Sequence, residues 1–359
     1  MSLAAPTRRP SLVSPIWDFW LLGGLSVVLW VVMAVGSLYR GAYGVSNHFG
    51  NLAMTMAALS LFVNYPHFLA SYKLAYTRGK SFVTKHWFQT LLVPCLLLDF
   101  LIYAYYLANA PDGKERAEWI LGMGVNLMYF TVGWHYTKQA FGCMMVYASY
   151  DRYPLSRLQR ELIRWSLLSV WWYNWTEANQ YQTNKFWELT YTTWNLPPWA
   201  HPLSLAIFVT LALGVLLVVV GRNWKEGNRP SLTFLVPYVA MLLWFAPCFR
   251  QYDYYVYVVP FFHSLQYLAF VYRIEQSEDS SPTRTVLVTF GLCLTGWLAF
   301  EAIPGNLDMV FDNVRTFGWS FFLIGANLFL NIHHYFLDNV LWRVRDDPKV
   351  RSALFSSQP

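Results

Sequence analysis

Leu203-Ser-Leu-Ala-Ile-Phe-Val-Thr-Leu-Ala-Leu-Gly-Val-Leu-Leu-Val-Val-Val220 contains no charged side chain over 18 residues. As a helix it would reach roughly 27 Å, close to the ~30 Å hydrocarbon thickness of a bilayer. His201 and Pro202 precede it, and Arg222, Asn223, Trp224 and Lys225 follow it. An apolar rod flanked by interfacial residue types is the pattern of a membrane crossing. Moving outward from this stretch, the same pattern recurs along the chain. The sequence predicts ten spans: Ile16–Leu38, Asn51–Tyr76, Trp87–Ala108, Trp119–Tyr147, Leu158–Trp175, Leu203–Val220, Leu232–Phe249, Tyr254–Tyr272, Val286–Ile303 and Phe317–Val340. Prolines 66, 94, 237, 247 and 260 fall within them and are expected to kink or break the helices.

Composition agrees. Of 359 residues, 56% are hydrophobic and only 13% charged, about half the charge a soluble domain carries. That excludes a disordered chain, and it leaves too little polar surface for a soluble globule. The net charge of +6 suits an anionic lipid face. No basic run with interleaved aromatics points to nucleic acid. The expected class is an all-α, polytopic membrane bundle whose partners are the bilayer and a lipophilic small molecule, with no nucleic acid.

Charge also orients the spans. Numbered alternately from the inside, the tails and inside loops hold 19 Lys and Arg, and the outside loops hold 6. The positive-inside rule therefore predicts both termini in the cytoplasm, and the expected location is the cell (inner) membrane. The layout is a cytoplasmic tail over 1–15, a membrane domain over 16–342 and a cytoplasmic tail over 343–359. The first span is expected to be an uncleaved anchor. The aromatic outside loop over 176–201 is expected to lie on the membrane surface as a cap. The four cysteines (95, 143, 248 and 293) lie in apolar stretches without a CxxC pair, and read as small hydrophobes.

Histidine is where chemistry enters. His48, His86 and His201 fall at span ends, where interfacial hydrogen bonding accounts for them. The other five lie inside spans: His67, His135, His263 and the pair His333-His334. Their four helices all run from outside to inside. His67 stands 11 residues before Arg78, His263 stands 10 before Arg273, and His333 and His334 stand 10 and 9 before Arg343. At ~1.5 Å per residue these share a level roughly 15 Å from the inner face. His135, 17 before Arg152, fits that level less tightly. A single imidazole in a bundle is most simply a satisfied polar side chain. Four at one depth suggest a shared metal site in the bundle core. Neutral imidazole suits iron, zinc, copper or nickel, and the scarcity of carboxylates disfavours magnesium or calcium.

Helical spacing of three or four residues nominates supporting groups: Asn64 for His67, Lys138 for His135, Gln266 and Tyr267 for His263, and Asp338 for His334. Because 333 and 334 differ by about 100° around a helix, only one of them faces any one site. Phe62, Trp134, Tyr136, Phe262 and Tyr335 flank the histidines and are candidates for a substrate pocket, with ordinary core packing as the plain alternative.

The segments Tyr65-Pro66-His67-Phe68, Trp134-His135-Tyr136, His263-Ser264-Leu265-Gln266-Tyr267 and Ile332-His333-His334-Tyr335 resemble, in order and form, those of the Brp/Blh family of bacterial membrane β-carotene 15,15′-dioxygenases. The resemblance covers well under a fifth of the chain. It implies a non-haem Fe(II) centre held by histidines and an oxygenase that uses O2 to cleave a polyene. Carried over, the ligands would be His67, His135 and His263. Tyr267 stands where the family has a further histidine, and the fourth ligand falls to His334 or His333, or the centre has three. Zinc or another transition metal remains an alternative to Fe2+. Two further readings stand beside this one. A di-iron desaturase or hydroxylase would use HxxxH clusters, which are absent here. A transporter or proton-relay protein would use the intramembrane histidines without metal. No GxSxG, GxxxxGK[ST] or GxGxxG motif occurs.

Overall fold

In a computed structural model the backbone is described over residues 10–187, 189–245, 255–311, 321–344 and 347–355, and side chains there except at 37–50, 53 and 255–257. The described chain is overwhelmingly helical. The helices are α1 Pro15–Phe19, α2 Leu25–Leu59, α3 Asn64–Tyr76, α4 Lys80–Lys85, α5 Val93–Ala108, α6 Lys114–Tyr150, α7 Arg157–Ala178 and α8 Ala200–Gly214. They continue with α9 Arg222–Lys225, α10 Leu232–Trp244, α11 Tyr255–Glu278, α12 Pro282–Trp297, α13 Ile303–Val310, α14 Phe321–Leu341 and α15 Pro348–Phe355.

Among the described residues, four rods are long and apolar enough to cross a membrane: Pro15–Gly36, Phe88–Ala108, Ala200–Lys225 and Pro282–Val310. They lie largely on the outside of the molecule, with side chains such as Leu217 and Phe290 about two-thirds exposed. That apolar exterior marks a membrane protein. The helices that carry histidine are more polar because neighbouring protein, rather than lipid, surrounds them.

Local chemistry explains the ends and breaks. Ser156 and Gln159 form a capping box at the start of α7. Ser231 caps α10, its Oγ accepting from the Phe234 N–H at 3.0 Å. Two π-type turns, Phe88–Leu92 and Leu298–Ala302, stand just before Pro94 and Pro304. Each proline lacks an N–H and crowds the carbonyl four residues back, which lies inside the widened turn. Pro237 and Pro260 are carried within α10 and α11. A third π-type turn, Trp20–Gly24, breaks the first rod at Gly23, whose φ is +152°. A Cβ there would meet the Val236 carbonyl oxygen at 2.9 Å, so glycine lets α10 approach.

The structure departs from the sequence expectation in three places. α2 runs unbroken from Leu25 to Leu59, through the loop expected between the first two spans. The break falls at 60–63 instead, just before the histidine-bearing α3. The loop over 176–201 holds a two-stranded antiparallel hairpin, β1 Thr183–Phe186 and β2 Leu189–Thr192, which packs on α6. Its alternation puts Leu189 and Tyr191 inward and Thr190 and Thr192 outward. Cys95 is exposed, whereas Cys143 is buried. The expected link over 250–253, and Cys248, lie outside the described residues.

The core has two connected parts. One gathers α2, α3, α6, α7, α10 and α11; the other gathers α5, α6, α14 and the hairpin. α3 packs on α11, α12 and α14, and α14 packs on α6. Gly296 of α12 lies tight on α3, where an added Cβ would stand 2.5 Å from that of Tyr65.

Candidate metal centre

The histidines on α3, α6, α11 and α14 converge. One ring nitrogen each from His67, His135, His263 and His334 lies within 4.8 Å of the other three, and all four residues are buried. The ring of His67 is centred 4.4 Å from that of His334 and 5.0 Å from that of His263. The ring of His135 is 4.7 Å from His263 and 4.8 Å from His334. The Nε2 atoms of His135 and His263 stand 2.9 Å apart. Two nitrogens each ~2.1 Å from one ion lie about 3 Å apart at a right angle and about 4 Å apart when opposite. The set, with its nitrogens no more than 4.8 Å apart, is thus close to the size of a single transition-metal centre.

Hydrogen bonding on the far side of two rings fixes which nitrogen points inward. Ser71 Oγ donates its one proton to Asp338 Oδ1 at 2.9 Å, and lies 2.8 Å from His334 Nδ1. With that proton committed, His334 Nδ1–H is the donor and Nε2 carries a bare lone pair. Ser264 repeats the device: Oγ donates to Asn64 Oδ1 at 2.8 Å and lies 3.2 Å from His67 Nδ1. His67 Nε2 and His334 Nε2 are buried without any hydrogen-bond partner. Buried imidazole nitrogens left bare are costly unless a cation takes them. On this ground the residues present fit a resident metal ion.

Each nominated residue has a definite place. His333 does not join the set: its Nδ1 meets Tyr72 Oη and its Nε2 meets the Gln89 carbonyl, both at 3.0 Å. Asn64 acts through Ser264. Tyr267 stacks edge-on to His67 at 4.5 Å and donates to Asp338 Oδ1 at 2.8 Å. Lys138 does not partner His135; its ammonium bonds Asn339 Oδ1 and sits 4.4 Å over the Trp134 ring. Gln266 turns from His263 to the Leu22 carbonyl and to Gln139.

Tyr136 and Tyr335 pack directly on His263 and His135, with ring centres 4.1 and 4.9 Å apart, and Phe262 is buried beside His263. Phe62 is elsewhere. It is 60% exposed and lines an outward apolar groove with Phe290 and Trp297, because the break over 60–63 turns it away from the core. Trp134 is only partly buried.

Sequence reading missed three participants. Ser71 follows His67 by four, so the spacing rule that found Asn64 also reaches it. Ser264 adjoins His263 but serves His67 on another helix, which no local spacing reveals. Phe68, with its ring 4.6 Å from His334, is a neighbour in the quoted Pro66-His67-Phe68 segment.

Just beyond the C-terminal ends of α3 and α14, Arg78 pairs with Asp347 at 2.6 Å. Burial lowers the Arg78 pKa, and Asp347 partly restores it.

A scan of known protein families, a search of characterised proteins and a search of solved structures each found no match to this chain.

Proposed function

We propose that this chain crosses the cell (inner) membrane ten times with both tails in the cytoplasm, and that it is a non-haem iron oxygenase acting on a lipophilic, unsaturated substrate of carotenoid or isoprenoid type. The observation that carries the reading is the convergence of four buried imidazoles with bare Nε2 atoms on His67 and His334. Fe2+ is the ion we favour, with zinc or another transition metal as the alternative. Bound there, ferrous iron would supply O2 activation beside a substrate double bond. The protein's own part is to fix the imidazoles through Ser71 and Ser264, to exclude water, and to wall the centre with Tyr136, Tyr335 and Phe68. The short histidine segments shared in form with the Brp/Blh family support polyene cleavage over other oxidations.

The test has two arms. Purified protein should hold about one iron per chain, with less in each of His67→Ala, His135→Ala, His263→Ala and His334→Ala. It should also consume O2 and form carbonyl products from a carotenoid. Metal well below stoichiometry in folded wild type would remove the basis of the reading.

One observation favours a second reading. Tyr267, Ser71, Asp338 and His334 form a hydrogen-bonded chain, as a proton-relay protein or transporter requires. That reading expects proton or solute flux in liposomes without bound metal.

A further inference from the structure

The centre has a fifth donor facing it. Asp338 sits one helical turn beyond His334 on α14, and its two carboxylate oxygens have different surroundings. Oδ1 is fully engaged, accepting from Ser71 Oγ at 2.9 Å and from the Tyr267 hydroxyl at 2.8 Å. Oδ2 is buried with no hydrogen-bond partner. It lies 3.5 Å from His334 Nε2 and 3.7 Å from His135 Nε2. Both separations are too long for hydrogen bonds. Both fall between the ~3 and ~4 Å expected for two donors on one ion.

Charge points the same way. Four neutral imidazoles leave a divalent cation's full charge inside a low-dielectric bundle, where an uncompensated charge is expensive. A single carboxylate at contact distance halves it. Conversely, a buried carboxylate with one bare oxygen is stabilised by a cation at contact distance. Ser71 and Tyr267 hold the carboxylate by Oδ1, which leaves Oδ2 beside the Nε2 atoms of His334 and His135.

We propose that Asp338 is a direct metal ligand through Oδ2, making the centre four histidines and one carboxylate. This rests on the metal reading above, and the experiment separates the two. Full-length protein is purified in detergent and loaded anaerobically with Co(II), whose visible absorption distinguishes four donors from five. Wild type should give a five-donor spectrum. Asp338→Asn keeps an acceptor for Ser71 and Tyr267 and removes the charge. It should bind Co(II) roughly ten- to a hundredfold more weakly in chelator competition, with a stronger, red-shifted spectrum. Asp338→Glu, a second variant that retains the charge, should fall between. Ser71→Ala loosens the carboxylate but leaves it present, so its spectrum should stay five-donor. A four-donor spectrum in wild type overturns the proposal, as does Asp338→Asn with wild-type affinity and spectrum. In either case loss of Co(II) in the His→Ala variants would leave the four-histidine centre standing. Folded wild type that binds no Co(II) overturns both.

Discussion

Two serines carry more of the centre than their size suggests. Each spends its proton on an oxygen acceptor, Asp338 for Ser71 and Asn64 for Ser264, and so obliges an imidazole to donate through Nδ1. Replacing either with alanine frees the ring to rotate and to hold its proton on the inward nitrogen. Ser71→Ala and Ser264→Ala should each retain metal with affinity lowered roughly ten- to a hundredfold, measured by chelator competition. Affinity equal to wild type in both would show that packing alone orients the rings. His333→Ala gives a sharper contrast. Its ring is engaged by Tyr72 and Gln89, outside the set, so metal content should match wild type. A histidine next to a ligand in sequence is then silent in metal analysis. At this scale the sequence was informative. Position inside the spans nominated the histidines, depth counting matched His67, His263 and the 333–334 pair with His135 a looser fit, and i,i+4 spacing nominated Asp338. It failed for Lys138 and Gln266, whose long side chains reach partners on other helices that no spacing along one helix can reveal.

At the scale of elements, the helices that hold the site are set by close approach. Gly296 lets α12 lie against α3 at Tyr65, two residues from His67. Gly296→Val should lower stability by about 1–3 kcal/mol, seen as a lower thermal midpoint in detergent, because Tyr65 must move. It should also weaken metal binding by displacing α3. An unchanged midpoint would mean that the two helices part without cost. The π-type turn before Pro94 was foreseeable as a distortion, since proline demands one. The continuity of α2 through residue 59 was not. A gap between two apolar runs reads as a loop when only composition is seen, and helix geometry places no bar on polar residues within a long rod. The hairpin was missed for a different reason. Its strands are four residues each, too short for alternation to stand out in an aromatic loop.

At the scale of the molecule, the four apolar rods found among the described residues face outward and the histidine helices lie among them. The proposed arrangement places Lys80, Arg157, Arg229 and Lys349 on the cytoplasmic side and Lys114 and Lys185 on the other. Single cysteines at these positions, in a background lacking the native four, should react with an impermeant maleimide accordingly. The first group should label only after the membrane is opened, and the second in intact cells. Labelling of Lys80→Cys in intact cells would break the ten-span scheme. The membrane character was plain from composition, and the helices that carry the site were marked by histidines inside apolar stretches.

The four converging rings come from residues 67, 135, 263 and 334, a spread of about three quarters of the 359-residue chain. A nascent polypeptide emerging from the ribosome therefore owns three of them long before it owns the last. On the proposed metal reading, loading would be a closing event of biosynthesis, and release before α14 is made would yield a product that cannot mature. Chains truncated near residue 320 should insert into membrane yet stay metal-poor however much iron the cell contains.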